Sequence, residues 1–420
     1  MLFRQIIHDD LGCGSYLIGD EDEGVAAVVD PKLEIDEYLA LARYAGVSIE
    51  HILETHNHAD HVSGHGRLAA ATGAAIHIHR EAAPDYSHEP FDDGWELQLG
   101  CVTVRAIHTP GHRPDHTAFA LIDAARGPEP WAVLTGDTLF VGDIARPDLA
   151  VEKEDGARGV FHSLHDRLLT LPDTCEVWPG HLGGSLCYGP GMDMKVSSTI
   201  GYEREHSEML AIADEDEFVR RSIAALGPQP PNFRNIVALN RGPLVVEGVD
   251  VHPLTPRQIM QACDDGALVV DVRTELQFDE AHVPGAVSIT ALRAGFGSKL
   301  AWLVEPDPLV VLVGRDDEDA RQAATLAAAV GITRIAGFLA GGMTSWREDR
   351  RPVERVERIS VPELHDRRDK LQILDVRELA ASLLRRHGVH EALHVVDGGV
   401  PLWRREGWPI EEPEGAPSGS

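Results

Sequence analysis

Thr55-His56-Asn57-His58-Ala59-Asp60-His61 packs three histidines and an aspartate into seven positions, directly after the apolar run Ile49 to Leu53. A buried imidazole or carboxylate needs a partner, and a metal ion can partner several at once. Side chains alternate along an extended segment, so His56 and His58 can reach one point while Asp60 and His61 reach a neighbouring one. The spacing allows one metal site or two. Further ligand types follow in Thr109-Pro110-Gly111-His112, Thr135-Gly136-Asp137-Thr138 and Trp178-Pro179-Gly180-His181. Each sits beside glycine after an apolar run such as Trp131 to Leu134. Ligands delivered at strand ends by glycine-containing loops suit a layered α/β scaffold.

The elements that must position these loops can be read from periodicity. Apolar runs at Phe3 to Ile7, Ser15 to Ile18 and Val25 to Val29, separated by turn clusters, read as a meander of short strands. Leu33, Tyr38, Leu41 and Tyr44 recur near helical spacing until Gly46. A second helix is expected over 66–72, then a strand from Ala75 to His79 whose His77 and His79 are strand residues rather than ligands. Two strands fill Trp95 to His108. His112, freed to turn by Gly111, is expected to face the metal, with His116 in a supporting place. Leu139 to Leu149 is a loop in which Arg146 either grips an anionic substrate group or pairs with Asp143 or Asp148. Cys187, six residues past His181, is either within reach of substrate or a buried inert thiol. A Ser/Thr cluster at 197–199 opens a helix carrying Tyr202. Proline punctuation at 228–231 and 241–243 places a boundary near 245–253, giving a first domain of 1–248.

Beyond it, Leu254-Thr255-Pro256-Arg257 opens a helix, with proline in the first turn where its missing N–H is harmless. The strand 267–273, the segment Ala281-His282-Val283-Pro284-Gly285-Ala286, the strand Leu309 to Val313, a helix over 319–330 and Leu339 to Trp346 alternate as in a small parallel-sheet α/β domain, 249–354. Asp271-Val272-Arg273, His282-Val283-Pro284-Gly285-Ala286 and Gly341-Gly342-Met343 with Trp346 resemble the rhodanese family. That family's persulfide-bearing cysteine directly follows the central strand, where this chain has Gly314 and then Arg315-Asp316-Asp317-Glu318-Asp319. Sulfurtransferase activity is therefore not expected. Residues 355–414 repeat the pattern in shortened form, through Val361-Pro362-Glu363-Leu364, Asp375-Val376-Arg377 and Asp397-Gly398-Gly399. Asp375 to Gly388 spans 13 positions where the first copy, Asp271 to Gly331, spans 60. A truncated second rhodanese-like domain and a disordered tail, 415–420, are expected. Without their cysteine, these units suit docking or formation of a homodimer.

The 420 residues carry 38 Lys+Arg against 68 Asp+Glu, a formal charge of -30, which disfavours nucleic acid and anionic membranes as partners. Five cysteines without a CxxC pair argue against a disulfide framework. No apolar run reaches membrane-spanning length and the first residues lack a signal-peptide pattern, so a cytoplasmic location is expected.

The histidine motif and the later His, Asp and His resemble the metallo-β-lactamase superfamily over about residues 1 to 245. The resemblance implies an N-terminal αββα sandwich with its metal centre between two sheets, here followed by rhodanese-like domains with a parallel sheet. Together with Gly136-Asp137-Thr138-Leu139-Phe140, Arg146-Pro147-Asp148-Leu149 and Ser198-Thr199-Ile200-Gly201-Tyr202-Glu203, the arrangement resembles persulfide dioxygenases fused to rhodanese units. That implies one Fe(II) per chain at His56, His112 and Asp137, oxidising glutathione persulfide or another small thiol persulfide with O2 to sulfite in sulfide detoxification. Two imidazoles and a carboxylate leave adjacent positions open on one metal. His58, Asp60, His61 and His181 then orient the ligands or hold a second metal, and Arg146, Tyr202 and Cys187 are candidates for the substrate side. The alternative is a hydrolase similar to glyoxalase II, with two Zn(II) held by all these ligands and a bridging hydroxide attacking a thioester. Against it stands the tail, which replaces the helical substrate domain expected of that enzyme.

Overall fold

Period-two alternation builds the first layer from β1 (Leu2–His8), β2 (Cys13–Asp20), β3 (Val25–Val29), β4 (Ser48–Leu53), β5 (Ala75–His79) and β6 (Glu89–Phe91). The computed structural model describes all residues except 9, 184–191, 228, 293, 305–308, 368–393 and 398–420. Cys187 and the repeat segments around Asp375 and Gly388 therefore lie outside the described residues. Along β3, Ala26 and Val28 pack toward helices α1 (Asp36–Ala45) and α2 (His65–Thr72), while Ala27 and Val29 pack toward a second sheet. Gly46, in the left-handed conformation at φ 71°, ends α1.

The second sheet has the order β12-β11-β10-β9-β8-β7, from β7 (Glu96–Leu99), β8 (Val102–His108), β9 (Thr117–Asp123), β10 (Ala132–Gly136), β11 (Glu176–Pro179) and β12 (Ser198–Thr199). Phe119, Leu121, Ala132 and Leu134 meet the first sheet in a shared core. Val133 points the other way, onto the side where α3 (Lys153–His162), α4 (Ile200–His206) and α5 (Glu215–Ala224) supply Val160, Ile200 and Phe218. The result is the four-layered αββα sandwich. The helix α6 (Phe233–Arg241) follows.

Because β9 is antiparallel to both β8 and β10, and β11 is parallel to β10, the strands β8, β10 and β11 run the same way. The loops carrying His112, Asp137 and His181 leave their C-terminal ends, as the loop carrying His56 leaves the end of β4. One rim of the sandwich thus collects residues from four distant stretches of sequence.

Two compact units make up the chain: Met1–Asp250 with Arg293–Asp307 and Gln322–Arg334, and Val251–Leu292 with Pro308–Arg321 and Ile335–Ser420. The second holds a five-stranded, all-parallel sheet of order β13-β17-β16-β14-β15, from β13 (Pro253–Leu254), β14 (Leu268–Asp271), β15 (Val287–Ser288), β16 (Val310–Val313) and β17 (Ile335–Leu339). Leu268–Asp271 and Val310–Val313 are buried throughout, as a sheet covered on both faces requires. The helix Pro256–Asp264 opens with a capping box between Thr255 and Gln258. Farther on, β18 (Glu357–Ser360) pairs in parallel with β19 (His394–Asp397), and the helix Val361–Arg367 follows β18. Among the described residues no helix is long and apolar enough to cross a membrane.

Candidate metal centre

His56, His112 and Asp137 converge at the rim, each at most 1 % exposed. Asp137 Oδ2 lies 3.7 Å from His56 Nε2 and 3.5 Å from His112 Nε2. Donors about 2.1 Å from a common ion stand roughly 3.0–3.4 Å apart at octahedral or tetrahedral angles. A small contraction would therefore close the three around one ion.

Local hydrogen bonds decide which ring nitrogen is offered. Asp30 accepts from the Thr55 amide at 2.7 Å and from its hydroxyl at 2.8 Å. With its proton committed, Thr55 Oγ1 must accept from His56 Nδ1 at 2.9 Å. The lone pair of His56 is thereby left on Nε2, a buried atom without a hydrogen-bond partner among the described residues. A lone pair so placed suits a metal ion. His112 Nδ1 donates to the Arg146 carbonyl at 3.0 Å, which leaves its lone pair on Nε2 as well. His116 is spoken for: its Nε2 accepts from the Asp137 amide at 2.9 Å, and its Nδ1 lies 2.8 Å from Thr109 Oγ1 and 2.9 Å from Thr138 Oγ1. Two glycines make the turns possible. Gly136 has φ 48° and a Cβ there would stand 2.7 Å from His116 Nε2, while Gly111 has φ 140° and would strike the backbone of Val160.

The remaining ligand types have different partners. His58 turns Nε2 to Asp30 at 3.2 Å and Glu54 at 3.3 Å. His61 Nδ1 lies 3.3 Å from Asp60 Oδ2. His181 Nε2 lies 3.1 Å from Asp60 Oδ2 and 3.3 Å from Asp137 Oδ2.

The electrostatics sorts the histidines into two classes. Burial, with neighbouring His58 and His112, holds His56 well below the ordinary imidazole range. Burial also lowers His112, despite the Asp137 carboxylate, and pushes His116 down to about 3. At His58 burial opposes charge, but Asp30 and Glu54 outweigh it and raise the ring well above its usual value. At His181 burial is overcome by Cys13, Asp137 and Asp60. Since burial pushes the Cys13 thiol up to about 12, that thiol is uncharged at neutral pH and the two carboxylates carry the effect. Burial works against Asp137 ionising, yet His181 and His112 lower it well below the carboxylate range. The surroundings thus favour neutral imidazoles at His56 and His112 and an ionised carboxylate at Asp137, and favour the protonated ring at His58 and His181.

Sequence reasoning missed Asp30, Glu54 and Cys13 here. Cys13 Sγ lies 3.4 Å from Asp60 Oδ2 and 3.7 Å from His181 Nδ1, brought there because Gly14 donates to the Gly180 carbonyl and Leu182 to the Gly12 carbonyl. Its only sequence signal was a cysteine between glycines. The substrate-side candidates are placed as follows. Arg146 pairs with Asp148 at 2.8 Å through Nε and 3.0 Å through Nη2. Tyr202 is exposed and stacks on His206 at 4.3 Å. Because the Arg146 carbonyl and not its guanidinium holds His112, Arg146→Ala is expected to leave the metal content unchanged, measured by elemental analysis; metal loss would show that the side chain also supports the ligand.

Residues 8–181 match the family described as metallo-beta-lactamase superfamily, and residues 255–349 match the rhodanese-like domain. The chain belongs to the metallo-β-lactamase superfamily and carries a rhodanese-like domain behind that fold. Among relatives, the mitochondrial persulfide dioxygenase ETHE1 of Bos taurus is 28% identical over 241 residues, 57% of this chain and 87% of that protein. A Burkholderia pseudomallei protein named "Probable metallo-hydrolase" is 30% identical over 240 residues, 49% of this chain and 79% of its own length. Hydroxyacylglutathione hydrolase of Methylococcus capsulatus is 36% identical over 172 residues, 40% of this chain and 60% of that enzyme. The solved structure of a metallo-beta-lactamase from Staphylococcus aureus, 28% identical, covers 81% of this chain and 99% of its own with a TM-score of 0.73.

Proposed function

We propose that the chain is a persulfide dioxygenase, holding Fe(II) through His56, His112 and Asp137 and acting on glutathione persulfide or a similar small thiol persulfide. The observation that carries this reading is the sorting of the histidines. His56 and His112 commit Nδ1 to Thr55 and to the Arg146 carbonyl and hold Nε2 near Asp137, with burial favouring their neutral forms, whereas His58 turns Nε2 to Asp30 and Glu54 and His181 turns Nε2 to Asp60 and Asp137, carboxylates that favour the protonated rings. That favours one metal over two. A bound Fe(II) supplies the redox chemistry between a thiol persulfide and O2. The protein's part is to fix the ligand tautomers through Thr55 and the Arg146 carbonyl, to keep Asp137 ionised, and to hold a proton on His181 Nε2 beside it.

Length of similarity supports the same reading, since the alignment spans 87% of the bovine dioxygenase but 60% of the Methylococcus hydrolase. The hydrolase reading keeps one observation in its favour. His58, Asp60 and His61 form a second group whose donor atoms could close on an ion. A side-by-side assay decides: O2 uptake on glutathione persulfide with negligible hydrolysis of a glutathione thioester is expected, and the reverse pattern would overturn the proposal.

The rhodanese-like unit is read as inactive in sulfur transfer. At Gly314 a Cβ would stand 2.6 Å from the Asp316 carbonyl oxygen and 2.8 Å from the Ala320 amide, and the Arg315 amide already donates to Asp319 Oδ2 at 3.0 Å. The chain's own carboxylate thus occupies a loop N–H that a persulfide would need. Gly314→Cys is therefore expected to destabilise this unit without producing thiocyanate from thiosulfate and cyanide; thiocyanate formation would contradict it.

A further inference from the structure

Among the described residues the arginines Arg113 and Arg273 are buried, at 7 % and 5 % exposed. Arg273 shows how a structural arginine is settled: its Nε and Nη2 bond Asp271 at 2.8 and 2.6 Å, and Nη2 also donates to the Ala281 carbonyl at 2.8 Å. Arg146 is forked onto Asp148 in the same way. Arg113 has no such clamp. Its Nε comes within 3.4 Å of Asp115 Oδ1 without forming a hydrogen bond, and the other oxygen of that carboxylate accepts from the Asn57 amide at 2.6 Å. None of the guanidinium N–H groups has a hydrogen-bond partner among the described residues. The side chain of Asn57, 3 % exposed, is in the same condition: neither its Oδ1 nor its Nδ2 has a partner there.

Both residues stand next to the ligands of the candidate metal centre. Asn57 lies between His56 and His58 on the loop after β4, and Arg113 follows His112 on the loop after β8. Asp115 ties the two loops together through the Asn57 amide, and the Thr117 amide, at the start of β9, donates to the Thr55 carbonyl at 2.8 Å. The charge of Arg113 is felt at the centre. After burial and the neighbouring histidines it is among the influences that hold His56 low, and burial is joined by the same charge at His112. A buried guanidinium without hydrogen bonds is costly, and its repulsion of a nearby metal cation adds to the cost. An anion held against it offsets both.

We infer that Arg113 is the residue that selects the substrate, by taking a carboxylate of the thiol carrier. The inference rests on the dioxygenase reading proposed above and names the part of the persulfide that the protein recognises. A guanidinium presents a planar fork that a carboxylate fits with two parallel hydrogen bonds. Asn57, whose backbone shares Asp115 with Arg113, adds a side chain with both a donor and an acceptor, as the N–H and C=O of a peptide-like carrier require. The role that the sequence suggested for Arg146 thus falls to an arginine whose fork is not already spent on a carboxylate of the chain. A carrier without a carboxylate would leave the buried guanidinium unpaired, and sites built to hydrogen-bond a substrate group reject analogues that lack it.

The test joins binding to kinetics on the full, iron-loaded chain. Calorimetric titration compares glutathione with its diethyl ester, in which the carboxylates are masked; O2 uptake compares glutathione persulfide with the uncharged persulfide of mercaptoethanol. The wild type is expected to bind glutathione at least about tenfold more tightly than the ester, Arg113→Gln to lose that preference, and Arg113→Lys to recover part of it. In Arg113→Gln the KM for glutathione persulfide is expected to rise at least about tenfold with a smaller change in kcat, while the KM for the uncharged persulfide moves less than about twofold. Equal binding of glutathione and its ester by the wild type, a preference that survives in Arg113→Gln, or loss of iron in both variants would each overturn the inference, the last by making Arg113 a support of the ligand loop. Absence of O2 uptake on either persulfide, with a glutathione preference that still depends on Arg113, would strike the dioxygenase reading and support the assignment of Arg113 to the carboxylate.

Discussion

Asp137→Asn is expected to abolish metal binding and oxidation together. The substitution keeps the side-chain shape but removes the one charged donor of the convergent set. It also removes the carboxylate that His112 and His181 both face. Changes to groups that merely orient a ligand typically cost about 10–100-fold in metal affinity; loss of the carboxylate donor is expected to exceed about 100-fold on the same scale. Because Asp137 is held below the ordinary carboxylate range, it stays ionised well into acid. Its contribution should therefore persist as pH falls past the usual carboxylate value and be lost only below it. Elemental analysis of the variant, purified anaerobically, reads the outcome. Metal retained at the wild-type level would mean that the site is organised around other residues.

The second expected result concerns Asp30, which touches no metal. Its backbone is left-handed at φ 48°, a conformation Asn also tolerates, so Asp30→Asn keeps the turn. What it loses is the carboxylate that takes the Thr55 proton and pairs with His58. An amide nitrogen in that place would force Thr55 to donate elsewhere, and His56 Nδ1 is its nearest alternative at 2.9 Å. The His56 proton would then move to Nε2, the atom offered to the metal. Metal affinity is expected to fall about 10–100-fold, measured by competition with a chromophoric chelator. The cost in folding stability is about 1–3 kcal/mol for the imperfectly satisfied buried groups. Unchanged affinity would show that the tautomer of His56 is fixed by something other than this chain of hydrogen bonds.

Much of this arrangement was legible in the sequence. Alternation at Val25 to Val29 and the unbroken apolar runs of the second unit announced their strands, because burial on one face or both leaves a period that can be counted. The density of His and Asp after Leu53 marked the site. What could not be counted was which lone pair each histidine offers. That depends on Asp30, 26 positions before His56, on the carbonyl of Arg146, and on the Asp137 amide that occupies His116. Cys13 was equally hidden, since only the pairing of its strand end with the loop at Gly180 brings it to His181. Arg146 shows the complementary difficulty: its side chain suggested a substrate grip, yet its carbonyl is the atom that faces the site. The second unit offered a missing cysteine at Gly314, but the closure of that loop on Asp316 and Ala320 is visible only in three dimensions.

The most direct test of the account is the metal content of the anaerobically purified chain, read beside the Asp137→Asn variant. One iron per chain in the wild type, falling to none in the variant, is the predicted result. Two zinc ions per chain would contradict it, because a second ion would have to draw on the histidines that face the carboxylates of Asp30, Glu54 and Asp60.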